Sequence, residues 1–393
     1  MTRARISIVS GLAAIAAVAA VALHPQGCAA QTPKFSDRLT VREREILVDL
    51  PDELQKKPLK PGDFQVLVGG QPREVTRAEP VSSAAEPPWT IVVYVDRVLA
   101  SPATALYSSL ALAHHAAELT RLGTVEVVVA DSDPRRTLSP SREAQPLERA
   151  LNELSATARA GRDRKDHRPV PPAEPDAERV RRQLDKLLAF LNARPPSGPH
   201  AVLLVADGPE LPAEQLAGLD RGSPAAPQTV AAALQQTARL LAAYGWVTIP
   251  VLLRKDEAGS QASMQSDVET LRQNSAGSSH GSLPPTIAFA PPEATSLAFR
   301  GVIDLMVMPR TATLRALARP TAGTVIGFEV QLEEVVAALR RRWRLWIIEP
   351  DAPAGGLIQS LAVTLPGRRE TVRAPVWLRS SPPEETAPAP GGF

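Results

Sequence analysis

The chain has 393 residues, of which 44% are hydrophobic, 4% aromatic and 39 are proline. The length suggests roughly two or three domains, and the composition an aliphatic core joined by stiff connections, which excludes a wholly disordered chain. Forty-four basic residues face 42 acidic ones; Arg3 and Arg5 account for the surplus, and a neutral remainder argues against nucleic acid as a partner.

Residues 1–30 carry Arg3 and Arg5, an apolar stretch from Ile6 to Leu23 and a small-residue segment around Cys28-Ala29-Ala30. The pattern predicts a cleaved export signal, hence a secreted or periplasmic protein with no integral membrane span in its mature form. An uncleaved anchor, or lipidation of Cys28, is the alternative. Cys28 is the only cysteine, so a mature chain has no disulfide and no thiol chemistry.

Residues 35–83 read as a β-rich module. LTVREREILVDL (39–50) alternates like a half-exposed strand, and FQVLV (64–68) with REVTRAEPV (73–81) forms a hairpin about Gly69-Gly70. From Trp89 the pattern changes. TIVVYVD, VEVVVAD (125–131), AVLLVAD (201–207) and WVTIPVLL (246–253) are near-continuous apolar runs, as strands covered on both faces are, and helical stretches over 102–122, 147–158, 177–193 and 228–244 separate them. The fold class predicted is α/β, a doubly wound, mostly parallel sheet over 88–323, flanked by N- and C-terminal β segments that pair into a small β-sandwich module. Residues 160–176, charged and proline-rich, read as an exposed insertion. Beyond Lys255 a polar stretch to Pro285 reads as loop around one short helix, TIAFAP as a strand and 311–318 as a helix. In the C-terminal part, 324–380, a helix from Phe328 to Trp343 leads to three extended segments, RLWIIEP with Trp346 and Ile348 inward, LIQSLAVTLPG and ETVRAPVWL. Residues 381–393 form a tail.

PGDFQVLVGGQPREVTRAEPV, TIVVYVD, HAVLLVADG and LARPTAGTVIGF with VVAALRRRWRLWIIEP follow one another in an order that resembles the secreted bacterial proteins with a von Willebrand factor A-related domain. In that family Thr-Gly-Gly stands where this chain has Thr321-Ala322-Gly323. The resemblance implies a Mg²⁺ site at the top of the sheet, held by an Asp-x-Ser-x-Ser loop after the first strand, a threonine from a later loop and an aspartate after the fourth strand, with one coordination position left for a partner's carboxylate. Asp96 and Asp207 match the two aspartates. Val98 and Ala100 occupy the serine positions, Ser101 lies one residue beyond, and the insertion stands where the threonine is expected.

The expectation is therefore a degenerate site with no bound metal or cofactor, of which Asp96, Ser101 and Asp207 are the remnant. Asp96 is expected to cap its loop or pair with Arg97 or another nearby basic residue, and Asp207 to form an Asp-Gly turn. His114 and His115 face different ways on one helix; His167, His200 and His280 read as exposed or turn residues. Gly277-Ser278-Ser279-His280-Gly281 fits Gly-x-Ser-x-Gly only as a string within the polar Gly/Ser loop, without a strand-to-helix context, and no His-Glu-x-x-His pair or phosphate-cradling loop occurs. RRRWRLW (340–346) reads as a helix end with solvated arginines rather than a nucleic-acid patch. The function expected is an exported, non-enzymatic protein-binding, scaffold or adhesion protein whose partner is another protein. The alternatives are a Mg²⁺- or Mn²⁺-dependent adhesion module using Asp96, Ser101 and Asp207, and a cell-envelope hydrolase.

Overall fold

The computed structural model describes residues 43–55, 57–83, 88–131, 133–163, 176–193, 198–209, 211–220, 225–226, 229–253, 308–327, 330–349, 357–368 and 371–380. The expected signal, the middle of the insertion, the stretch 254–307 and the C-terminal tail lie outside them. In chain order the first elements are β1 (Glu43–Val48), the short α1 (Asp52–Gln55), β2 (Gln65–Val68), β3 (Gln71–Arg73) and β4 (Val75–Pro80). Next come β5 (Trp89–Asp96), α2 (Pro102–His114), α3 (Ala116–Leu122), β6 (Gly123–Ala130), β7 (Pro134–Ser141), α4 (Ala144–Asp163), α5 (Asp176–Asn192) and β8 (His200–Val205). The chain continues through α6 (Ala213–Asp220), α7 (Val230–Ala243), β9 (Trp246–Val251), α8 (Met308–Ala318), α9 (Val330–Arg340), β10 (Trp343–Ile348), β11 (Ile358–Thr364) and β12 (Trp377–Arg379).

The apolar runs form a five-stranded sheet in the order β7-β6-β5-β8-β9, parallel except for β7 at one edge. Alternate side chains of β5 enter two separate cores. Ile91, Val93 and Val95 pack with α2, α3, α4 and α9, whereas Val92 and Tyr94 pack with α5, α7 and α8. A sheet covered on both faces needs strands apolar at every position, which is why the sequence shows no period of two there. The fold class is thus α/β and doubly wound, as expected.

The edge strand β7 is not evident from sequence. PRRTLSPS carries two prolines and is mostly exposed, both tolerable only at a sheet edge. Its ladder with β6 slips on either side of Val127, and beside the slip the buried Glu126 pairs with Arg136 at 2.9 Å. At the other edge, β9 contains Pro250. The outward N–H groups on either side of it are satisfied separately, Thr248 N–H by Thr321 Oγ1 at 2.9 Å and Leu252 N–H by the Ile326 carbonyl at 2.8 Å, so the missing proline N–H falls on the side with no full strand to serve.

The flanking β segments do pair. β1 and β4 sandwich β10 in one antiparallel sheet, and β12-β11-β2-β3 forms the second. Their facing side chains, among them Ile46, Val66, Leu345 and Leu361, share a third core. Three details differ from the sequence expectation. The run 73–81 divides near Glu74, where β3 completes a two-residue hairpin with β2 and β4 leaves for the other sheet; Gly69 and Gly70, at φ 58° and 79°, supply the two left-handed positions that turn requires. In β10 the inward residues are Trp343, Leu345 and Ile347, one position out of the expected register, and Trp346 lies on the other face with the Arg77 guanidinium 3.7 Å from its ring centroid. Finally, α9 buries Leu332, Val335, Val336 and Leu339 in the core of the α/β layer, so the helix assigned to the C-terminal segments belongs to the doubly wound unit.

Candidate functional site

A doubly wound sheet opens a crevice where strand order reverses, outside the carboxyl ends of the strands on either side. Here the reversal falls between β5 and β8. The loops that leave those strands carry Asp96 with Ser101, and Asp207.

Asp96 ends β5 and is buried, 2% exposed. Its Oδ1 accepts the N–H groups of Val98 and Leu99, both at 2.9 Å, and its carbonyl accepts from Ala100 N–H at 2.7 Å. The carboxylate thus closes its own loop, one of the two roles expected of it. Arg97 is instead 3.7 Å from Asp131, and Lys186 is the basic residue whose charge acts on Asp96. Burial raises the Asp96 pKa above the usual carboxylate range, and the proximity of Asp131 adds to this; the Leu99 and Val98 N–H groups and Lys186 oppose it.

Ser101 caps α2, with Pro102 in the first turn, where its missing N–H costs nothing. The serine Oγ accepts from Thr104 N–H at 3.2 Å and donates to Thr104 Oγ1 at 3.0 Å. Asp207 lies across the crevice. Its Oδ2 accepts Ser101 N–H at 2.8 Å, its Oδ1 accepts the Thr104 hydroxyl at 2.6 Å, and its own N–H donates to the Leu99 carbonyl at 3.2 Å. The expected Asp-Gly turn is therefore replaced by a carboxylate bound to the N-terminal turn of α2, a position that the unsatisfied N–H groups and the helix dipole both favour.

The structure brings Asp207 and Ser101 into direct contact, with Asp96 at the base of the same loop. Thr104 completes the set, and sequence reading missed it. The available signal was Ser101-Pro102, a capping residue followed by proline, which makes the residue three positions later the natural partner of the cap. Val98 and Ala100 contribute no side-chain oxygen, and the serine and threonine hydroxyls are engaged with one another and with Asp207. Among the described residues no group of three or more His, Cys, Asp or Glu side chains is placed to hold a metal ion. Among the described residues the rim offers the side-chain oxygens of Asp96, Ser101, Thr104 and Asp207, whereas a hard divalent cation takes about six oxygen donors in octahedral array.

The described histidines lie away from the rim. His114 is exposed and His115 buried. His200, expected to be an exposed turn residue, is tied in place at the start of β8: Nδ1 is 2.7 Å from the Gly198 carbonyl, Nε2 3.1 Å from that of Tyr244, and the ring meets Trp246 edge-on at 4.6 Å. Burial lowers its pKa. His167 and His280 lie outside the described residues, as does the insertion between Asp163 and Asp176, whose ends are taken up by α4 and α5.

No protein-family model matches the chain, and no curated protein is similar to it in sequence. Among solved structures it is similar to a von Willebrand factor type A protein from Catenulispora acidiphila, at 11% identity over 86% of this chain and 74% of that one, with a TM-score of 0.31. A conserved hypothetical protein, BatB from Bacteroides thetaiotaomicron, matches at 8% identity over 64% and 96% of the two chains, with a TM-score of 0.31. The vWF domain of the type V pili tip protein Mfa5 from Porphyromonas gingivalis matches at 9% identity over 43% and 82%, with a TM-score of 0.25. The architecture of the chain itself is defined by its strand order and register.

Proposed function

We propose that this chain is an exported, non-enzymatic protein-binding module of von Willebrand factor A-related type, which presents the rim of its parallel sheet to another protein without using a metal ion. The observation that carries the reading is the engagement of Asp207: both its oxygens accept hydrogen bonds from the first turn of α2. Moving that carboxylate onto a cation would strand a backbone N–H and a hydroxyl, each at a cost of about 1–3 kcal/mol. The positions of Asp96 after the first strand of the sheet and Asp207 after the fourth agree with what the resemblance implies. Among the described residues no helix is long and apolar enough to cross a membrane. Support for the non-enzymatic reading comes from Ser101, whose hydroxyl donates to Thr104 rather than to a base.

Calorimetric titration of the protein with Mg²⁺ and Mn²⁺ tests the metal-free rim. No saturable heat is expected up to about 1 mM, and EDTA should leave the melting temperature unchanged. The convergence of Ser101 and Asp207 favours one second reading, a Mg²⁺- or Mn²⁺-dependent adhesion module with Asp96, Ser101 and Asp207 as ligands. It predicts the opposite result, a melting temperature lowered by EDTA and restored by Mg²⁺. Protein binding itself is tested by capturing partners on wild-type protein and on Val98→Arg, which places a bulky charge on the half-exposed rim loop; capture indifferent to that change counts against the rim as the interface.

A further inference from the structure

β12 is the edge strand of the second sandwich sheet and lies against α7 of the α/β unit. Beside it, toward the turn at Arg319–Thr321, runs a groove of about 890 Å³. Leu240, Pro320, Ile358, Val376 and Trp377 form its apolar wall, and Arg239 and Arg319 supply its charge. No acidic side chain is among its described lining residues. The Val376 N–H donates to the Pro320 carbonyl at 2.9 Å, which fixes that turn against the strand. The Arg239 guanidinium lies 4.4 Å from the centroid of the half-buried Trp377 ring.

Among the described residues the exposed large hydrophobic side chains are Leu357, at 50%, and Val376, at 42%. Val376 lines the groove, and Leu357 stands at its border, next to Ile358. Apolar residues scattered singly over a surface need no explanation, but two at one groove beside a tryptophan form a surface that an occupant would cover. Both arginines are exposed, and among the described residues neither forms an ion pair. An apolar wall with two unpaired cations selects an occupant that is both apolar and negatively charged.

We infer that residues 381–393 of this chain fold back into the groove. They lie outside the described residues, and their sequence is SPPEETAPAPGGF. Its two charged residues, Glu384 and Glu385, are both acidic and answer the two guanidinium groups. Its prolines, among them Pro382, Pro383 and Pro388, favour the extended polyproline conformation, which docks on aromatic surfaces at a low cost in entropy. The starting point is also right. Ser380 N–H donates to the Leu357 carbonyl at 2.9 Å, so the chain leaves the sheet at the border of the groove. The link from Trp377 to Glu384 spans about 20 Å in the polyproline form, enough to turn back over β12. A short tether holds such a segment at an effective concentration on the order of 1 mM, so it occupies the groove ahead of a second copy or a separate protein making the same contacts. The groove is distinct from the rim of the parallel sheet and does not depend on the reading given to it.

The test is fluorescence anisotropy of a labelled synthetic peptide of residues 381–393, titrated with the wild-type full chain and with full-length Glu384→Lys/Glu385→Lys, whose own segment is charge-reversed. The charge-reversed chain should bind the peptide saturably, with a Kd on the order of 0.1 mM, and the wild type about tenfold more weakly because its own segment competes. Arg239→Glu/Arg319→Glu, in an otherwise wild-type chain, should refuse this peptide and bind one carrying lysine at both glutamate positions. Since both arginines are exposed, circular dichroism should be unchanged. Equal affinity of the wild type and the charge-reversed chain would overturn the proposal, as would failure of the charge-reversed chain to bind the peptide. A wild-type dimer that Glu384→Lys/Glu385→Lys dissociates, seen by sedimentation velocity, would place the segment in a second copy and overturn its assignment to the same chain.

Discussion

At the C-terminal rim of the parallel sheet Asp207 has both oxygens occupied, by Ser101 N–H and Thr104 Oγ1, and Asp96 accepts two further N–H groups. At the amino-terminal end Arg342, more deeply buried than Asp207, makes one bond to Ala322 and leaves Nε and Nη1 without a partner among the described residues. The contrast separates two uses of buried charge. A carboxylate at a helix N-terminus is satisfied by backbone already in place and so locks two loops together. A guanidinium carries donors and no acceptor, and burial here leaves two of its nitrogens unmet among the described residues.

The largest effect should come from Gly323, which passes so close to β9 that a Cβ there would lie 1.8 Å from the Thr248 carbonyl oxygen. Gly323→Val should cost more than about 3 kcal/mol in urea unfolding, because the segment that supplies the Arg342 acceptor cannot then lie against the edge strand. Native-like stability in this variant would mean that the seam is far looser than its contacts imply. Next in size, Asp207→Ala removes the acceptor for two donors at the rim and should cost about 2–3 kcal/mol. If the rim is held otherwise, the loss falls well below 1 kcal/mol. Thr104→Val tests the same link from the other side.

Ala322 sits beside Gly323 with φ 56°, a left-handed conformation that disfavours any residue with a Cβ. Ala322→Gly should therefore raise stability by up to about 1 kcal/mol, less the entropy that glycine adds to the unfolded chain. A fall in the urea midpoint would show that this strain has been misassigned. In this segment the Thr321 hydroxyl caps an edge N–H, Ala322 takes the left-handed turn and Gly323 allows close approach to β9.

The parallel strands and their helices were legible because full burial leaves an unbroken apolar run, as in TIVVYVD. β7 was not, since an edge strand that is mostly exposed and contains two prolines carries no such signature. The first turn of α2 was legible in part: Ser101-Pro102 marks a cap, but the reach of Thr104 to Asp207 spans 103 residues of sequence and depends on the strand order. Arg342 was misread as solvated with Arg340 and Arg341. The helix ends at Arg340 and β10 begins at Trp343, so side-chain direction changes within that short link, and no periodicity indicates which arginine turns inward.

The smallest effect, and the one that distinguishes the two readings of the rim, is the response of Asp96 to pH. Burial raises its folded-state pKa above the unfolded value. The folded state then holds the proton more tightly, so the contribution of this group is present in full below the unfolded carboxylate pKa and is lost as pH rises through the folded one. Asp96→Asn keeps an oxygen that can accept from Val98 and Leu99 but has no charge to bury. Its stability relative to wild type should accordingly improve as pH rises from the unfolded carboxylate pKa through the raised folded one, which paired urea titrations would measure. A carboxylate serving as a metal ligand would be held ionised and would behave in the opposite sense, with Asn losing stability relative to Asp as pH rises in the presence of Mg²⁺. The sign of that one difference therefore bears on whether the rim is closed by its own hydrogen bonds or by a cation.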